Sequence, residues 1–274
     1  MDLLELSNMN RIIIGDVHNC ADELRQIILR NPKCEYICVG DLFDRGTNGV
    51  KVWELIHKHS IKCTRGNHEQ KMIDYFEGRK DYLPHHYYQF LNRFSEVYKL
   101  EDLYEFIRNL PLIIKLDESS LVTHGGIDLE NPWNPNLSAN VYGRWDPNKK
   151  VPRDIDSEEC WWNLYSHKTL VYYGHVVADT IRYRNGLLEH TNSVGLDTGA
   201  VHGGHLSAIC HETKQTTVIK SKNYYAEVKG QKIEPSRTVV EFRNRISAIT
   251  KTNQTIEAVP QMLEVERLQY LDEK

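Results

Sequence analysis

The sequence predicts an α/β fold of two facing β-sheets flanked by helices, with a helical cap insertion. Three observations carry this. The first seventy residues alternate strand and helix signals, residues 70–110 read as helical, and the chain from residue 169 breaks into short strands. Alternating strand and helix fits a parallel sheet covered by helices, and a later run of strands supplies a second sheet to face it.

The elements follow in order. Arg11 to Gly15 is a short apolar run ending at glycine, and Asp22 is placed to cap a helix whose apolar positions are Leu24, Ile27 and Ile28. Tyr36 to Gly40 repeats the strand signal, and a helix follows around Val50, Trp53, Leu55 and Ile56. Ile61 to Gly66 is the third strand. The polar residues after these runs are Asp16 and His18, then Asp41 and Asp44, then Asn67 and His68. Ligands of open α/β sheets bind outside the carboxyl ends of the strands. Three consecutive strands therefore deliver metal-type ligands to one edge.

Leu112 to Leu116 and Leu121 to Thr123 resume strand character after the cap. The stretch from residue 128 holds Pro132, Pro135, Pro147 and Pro152 with Trp133, Trp145, Trp161 and Trp162, and reads as a long ordered loop with a helix near its end. Five short strands come next, within 169–174, 180–186, 193–199, 205–210 and 216–220, with Asn185-Gly186 as a hairpin turn. They predict a second, mostly antiparallel sheet. A core ending near residue 222 and a C-terminal appendage over 223–274 are expected, the appendage holding a strand at 238–242 and a short helix at 261–271. The span 220–245 carries seven Lys or Arg against three Glu.

Composition narrows the class. Hydrophobic residues make up 40% and charged residues 26% of 274, which fits a soluble globular protein and not a disordered one. The formal charge of -4 argues against a general nucleic-acid coat protein, so no nucleic-acid partner is expected. No apolar run reaches the roughly 18 residues of a membrane span, and the first residues lack a secretory pattern. The six cysteines lack CxxC spacing, which favours reduced, buried thiols and a cytoplasmic location.

Carboxylates, imidazoles and at least one arginine are what a pair of divalent cations needs to clamp a phosphoryl group. All three classes sit at loop-forming glycines: Gly15-Asp16-Val17-His18, Gly40-Asp41-Leu42-Phe43-Asp44-Arg45-Gly46, Gly66-Asn67-His68-Glu69, His124-Gly125-Gly126 and Gly174-His175.

These motifs, five in order over roughly residues 11–220, resemble those of the calcineurin-like metallophosphoesterases. More narrowly they resemble the branch of phosphoprotein phosphatases and symmetrical diadenosine tetraphosphatases. The stretch Leu196 to Leu206 is similar to one in the small bacterial-type members. The resemblance implies two facing mixed sheets and two divalent metal ions, manganese first, with iron or zinc as alternatives. It implies that Asp16 and His18 hold the first metal, that Asp41 bridges, and that Asn67, His124 and His175 complete the second site. His68 is then the general acid with Asp44 orienting it, and Arg45 grips the phosphate. Arg144 is a second phosphate-binding arginine by the same resemblance, or else it packs on a nearby Trp or pairs with Asp146. Asn19 stands where the family usually has glycine, and Asn tolerates unusual backbone angles.

The implied reaction is hydrolysis of a phosphoric ester by a metal-bridged hydroxide, without a covalent enzyme intermediate. Two substrate readings stay open. The first is a phosphomonoesterase like the serine/threonine protein phosphatases, acting on a phosphopeptide or a phosphorylated small molecule. The second is a symmetrical bis(5'-nucleosyl)-tetraphosphatase acting on a dinucleoside polyphosphate. Several tetraphosphatases of this kind have a non-acidic residue where this chain has Asp44, so the acid points to the monoesterase. A second nucleotide needs stacking surface, for which the Tyr82 to Tyr88 helix and the Trp133 to Trp162 loop are the available aromatic regions.

Overall fold

Successive residues of the first strand face opposite ways, and that alternation divides the interior into layers. Ile12 and Ile14 join a core shared with helices, whereas Ile13 joins a second core together with Val122, Tyr172 and Val194. A computed structural model describes residues 9–146, 157–184, 191–222 and 232–253.

The first half runs β1 (Arg11–Ile14), α1 (Ala21–Arg30), β2 (Glu35–Cys38), α2 (Gly49–Lys58), β3 (Lys62–Cys63), α3 (Asn67–Phe76), α4 (His85–Val97) and α5 (Leu100–Arg108). Cys20, not Asp22, holds the N-cap position of α1, without a side-chain bond. Asp22 lies in the first turn, where its charge favours the helix dipole. The second half runs β4 (Ile113–Asp117), β5 (Ser120–Thr123), α6 (Leu137–Tyr142), α7 (Trp161–Leu164), β6 (Leu170–Tyr173), β7 (Arg182–Tyr183), β8 (Ser193–Gly195), β9 (His205–Cys210) and β10 (Thr216–Lys220).

Two five-stranded mixed sheets result, in the orders β10-β9-β1-β2-β3 and β4-β5-β6-β8-β7. The second sheet is not mostly antiparallel, because β5, β6 and β8 run parallel at its centre. Long connections join these strands, and parallel neighbours need such crossovers where hairpins would not suffice. The segments at 205–210 and 216–220, expected in the second sheet, pair instead with the first. β9 lies antiparallel to β1 with Ile13 opposite Ile209, which puts both residues into the core between the sheets.

Helices α3 to α5 form the expected cap and share the larger core with β1 and β2. Residues 237–253 are helical (α8), so the strand expected at 238–242 does not form. Val239, Phe242 and Ile246 fall on one helical face against the cap, with the Phe242 ring edge-on to Phe76 at 5.0 Å. That spacing outweighs the β-branched pair Val239-Val240. The Asn185-Gly186 turn and the 261–271 helix lie outside the described residues. Among the described residues, no helix is long and apolar enough to cross a membrane.

Candidate active site

Six parallel strands, three from each sheet, end at one place. The residues just past their carboxyl ends are Asp16 and His18 (β1), Asp41 (β2), Asn67 and His68 (β3), His124 (β5), His175 (β6) and Asp197 (β8). The turns there are tight. His18, Asn19, Asp41, Asp44, Arg45 and His175 all take positive φ, Asp44 at 96°. Backbone strain of this kind gathers where surrounding structure holds side chains for a task. Gly40 has φ 108°, and a Cβ there would meet the backbone nitrogen of Gly66 at 2.8 Å and His124 Nδ1 at 3.0 Å.

Asp41 sits at the centre. Its Oδ2 is 3.6 Å from His18 Nε2 and 3.7 Å from His68 Nε2, and its Oδ1 is 3.4 Å from His124 Nε2. Two groups of potential ligand atoms share it: His18, Asp41 and His68, and Asp41, His124 and His175. Asn67 Oδ1 lies 3.1 Å from His124 Nε2 and 2.9 Å from His175 Nδ1. His124 Nδ1 donates to the Val39 carbonyl at 3.0 Å, which leaves a lone pair on Nε2 facing the Asp41 and Asn67 oxygens. Lone pairs converge on one point, as a cation requires. With its amide turned over, Asn67 would instead donate to these nitrogens and to Asp41 Oδ2, and accept from Lys71 Nζ at 3.1 Å.

Electrostatics point the same way. Burial pushes Asp41 up to about 7 and Asp197 up to about 6. Asp16 is raised by burial and by the charges of Asp197 and Asp41. Burial holds His124 and His175 down at about 3 and His18 well below the imidazole range. Carboxylates that resist losing a proton beside imidazoles that resist gaining one suit divalent cations among them. The donor set of carboxylate, imidazole and carboxamide fits manganese, iron or zinc alike.

Asp16, expected beside His18, has its carboxylate accepting the His175 backbone N–H at 3.1 and 3.3 Å, outside both ligand groups. His68 Nδ1 donates to Asp44 Oδ2 at 2.6 Å, and Asp44 is fully buried. Arg45 lies beside this centre, for its charge lowers His18 and His68 and also acts on Asp41 and Asp197. Arg144 is exposed at the rim, its guanidinium 5.8 Å from the Tyr142 ring rather than over a Trp.

Four residues at the site carry roles that motif reading does not reveal. Glu69 accepts the backbone N–H groups of Asp41, Leu42, Phe43 and Gly66 at 2.9–3.3 Å, tying two ligand-bearing loops to one carboxylate. Its place in Gly66-Asn67-His68-Glu69, three residues after a helix N-cap, is a sequence signal for such bonding. Lys71, one turn past Asn67 on α3, is half-buried, and its charge acts on both imidazole groups. His86 bonds to Asp44 Oδ1 through Nδ1, and the Tyr87 hydroxyl lies 2.9 Å from His68 Nδ1. Tyr87, Trp161 and Trp162 are buried, so they pack the interior and offer no open stacking face.

A phosphoesterase is the class that this sheet pair and ligand edge define. The calcineurin-like phosphoesterase family model matches residues 9–191, and the chain belongs to that family. Among its relatives, the asymmetrical bis(5'-nucleosyl)-tetraphosphatase PrpE of Bacillus mycoides (strain KBAB4) is 27% identical over 76% of this chain and 93% of its own length. The PrpE of Bacillus cereus (strain 03BB102) is 29% identical over the same shares. A crystal structure described as a candidate diadenosine tetraphosphatase superposes with a TM-score of 0.62 at 19% identity, covering 78% of this chain and 95% of that one. The protein is a phosphoester hydrolase of the family that uses paired metal ions.

Proposed function

We propose that the protein hydrolyses dinucleoside tetraphosphates, cutting asymmetrically to a nucleoside monophosphate and a nucleoside triphosphate. The observation that carries this reading is the length of the match: relatives named as asymmetrical tetraphosphatases align over 93% of their own chains. That supports the dinucleoside substrate over the phosphoprotein substrate which Asp44 suggests, and it supports asymmetrical cleavage over the symmetrical kind.

By the family resemblance Asp16, His18 and Asp41 would hold one metal, Asp16 from outside the ligand group formed in the structure, and Asn67, His124 and His175 would hold a second together with Asp41. When bound, two divalent cations supply positive charge to the phosphoryl oxygens and make water a better nucleophile at neutral pH. Arg45 grips the non-bridging oxygens, a task suited to a planar guanidinium. Arg144, at the rim, meets phosphates further along the chain of the substrate. His68 delivers a proton from Nε2 to the leaving phosphate oxygen, while Asp44 holds Nδ1–H and fixes which nitrogen faces the substrate. Burial, then the charges of His18 and Arg45, keep His68 well below the imidazole range. An anionic substrate shifts it back up toward the protonated form.

The test is a comparison of substrates on manganese-loaded protein. Diadenosine tetraphosphate should exceed the best phosphopeptide or aryl phosphate at least tenfold in kcat/KM, about 1.4 kcal/mol of transition-state preference. AMP and ATP should be the products. A tenfold preference for a monoester would restore the phosphatase reading, and two ADP would make the cleavage symmetrical.

A further inference from the structure

A concavity of about 210 Å³ opens next to the ligand edge. The loop over 46–49 forms one wall, and Gln89, Phe90 and Arg93 of α4 form the other, with Asn19 between them. The wall is continuous with the reaction centre. The Gly46 backbone N–H donates to the His18 carbonyl at 3.1 Å, and Asn48 N–H donates to the Asn19 carbonyl at 3.2 Å. Asn19 directly follows a proposed metal ligand, and Gly46 directly follows Arg45.

Asn19 is 2% exposed. Its Nδ2 donates to the Gly46 carbonyl at 3.1 Å, while Oδ1 has no hydrogen-bond partner among the described residues. A buried carboxamide oxygen left this way carries an uncompensated desolvation cost, which a donor reaching it from the cavity would offset. Position 49 must be glycine for Asn19 and Phe90 to pack as they do. A Cβ at Gly49 would come within 2.3 Å of Asn19 Oδ1 and 2.4 Å of the Phe90 ring. The cavity therefore combines an unmet acceptor, the carboxamide of Gln89, an aromatic wall and the guanidinium of Arg93. Carboxamides read the paired donor and acceptor of a purine edge, and a guanidinium stacks on a base or binds phosphate.

We propose that this cavity binds the nucleoside on the leaving side of the substrate, its base edge meeting Asn19 and Gln89. Arg93 then pairs with the polyphosphate that joins this nucleoside to the attacked phosphorus. Asn19 is the specificity element, since the family's usual glycine has no side chain to offer there. The assignment rests on the dinucleoside reading given above, but the cavity can be tested apart from it.

Three variants of the manganese-loaded full chain serve: Asn19→Gly, which keeps a backbone at φ 62° accessible, Gln89→Leu and Arg93→Ala. The ratio of kcat/KM for diadenosine tetraphosphate to that for an aryl phosphate should fall at least tenfold in each, mainly through KM. Adenosine binding, followed by calorimetry, should be seen in the parent and weakened at least tenfold in Asn19→Gly and Gln89→Leu. Unchanged ratios in variants with parental circular dichroism would overturn the subsite. If the parent does not turn over diadenosine tetraphosphate, the substrate reading fails, and adenosine binding alone decides the cavity. No adenosine binding, or equal binding by parent and variants, would overturn it.

Discussion

Asp41 illustrates how much single residues do here. Its carboxylate faces both imidazole groups, and it accepts the His68 backbone N–H at 2.9 Å. The residues right after each strand were legible in the sequence because a sheet edge gathers them whatever the helices do. Glu69 and His86 were less legible, since one acts on backbone groups and the other arrives from the cap. Two predictions belong at this scale. His68→Asn should slow an ester with a poor leaving group far more than one with a good leaving group, because a good one needs little protonation. Equal losses in steady-state assays would make His68 a positioning group. The second concerns pH. Burial, with the charge of Asp41, pushes Glu69 up to about 8, and burial raises Asp41 to about 7. Both folded values exceed the unfolded ones, so their contribution is fully present at low pH and lost as pH rises through the folded values. Metal-stripped protein should thus become more resistant to urea as pH falls from about 9 to about 6. Glu69→Gln should flatten that dependence, and an unchanged slope would contradict the assignment.

At the scale of elements, β1, β2 and the cap helices were legible from apolar period, whereas partnership between distant strands was not. Nothing local in His205 to Cys210 says that it pairs with β1 rather than with the second sheet. The choice depends on Ile209 meeting Ile13 across some two hundred residues. The α8 helix misled for a related reason, since Val239 and Val240 have strand propensity but the helical face 239, 242 and 246 finds a partner in the cap. Phe242 packs on Phe76 and Tyr104 and is 4% exposed. Phe242→Ala should therefore cost about 3 kcal/mol by urea denaturation, with kcat little changed at temperatures where the protein stays folded. A loss under about 0.5 kcal/mol, the size of an ordinary surface substitution, would mean that α8 contributes little to the core.

For the whole molecule, the arrangement explains why two sheets are needed. Either sheet alone supplies only part of the ligand edge: Asp16, His18, Asp41, Asn67 and His68 from the first, and His124, His175 and Asp197 from the second. The apolar layer of Ile13, Ile37, Ile209, Val122, Tyr172 and Val194 sets their spacing. At the far ends of the strands, Arg11 donates to the Leu116 carbonyl and His211 lies 3.0 Å from Asp117, so polar contacts also bridge the sheets there. In the proposed function the two sheets meet to hold two cations around Asp41 for phosphoester hydrolysis. Turnover of diadenosine tetraphosphate by metal-stripped protein, titrated with manganese, tests it most directly. Activity should rise from near zero and level off at two equivalents per chain. Full turnover without added metal, or a plateau at one equivalent, would contradict it.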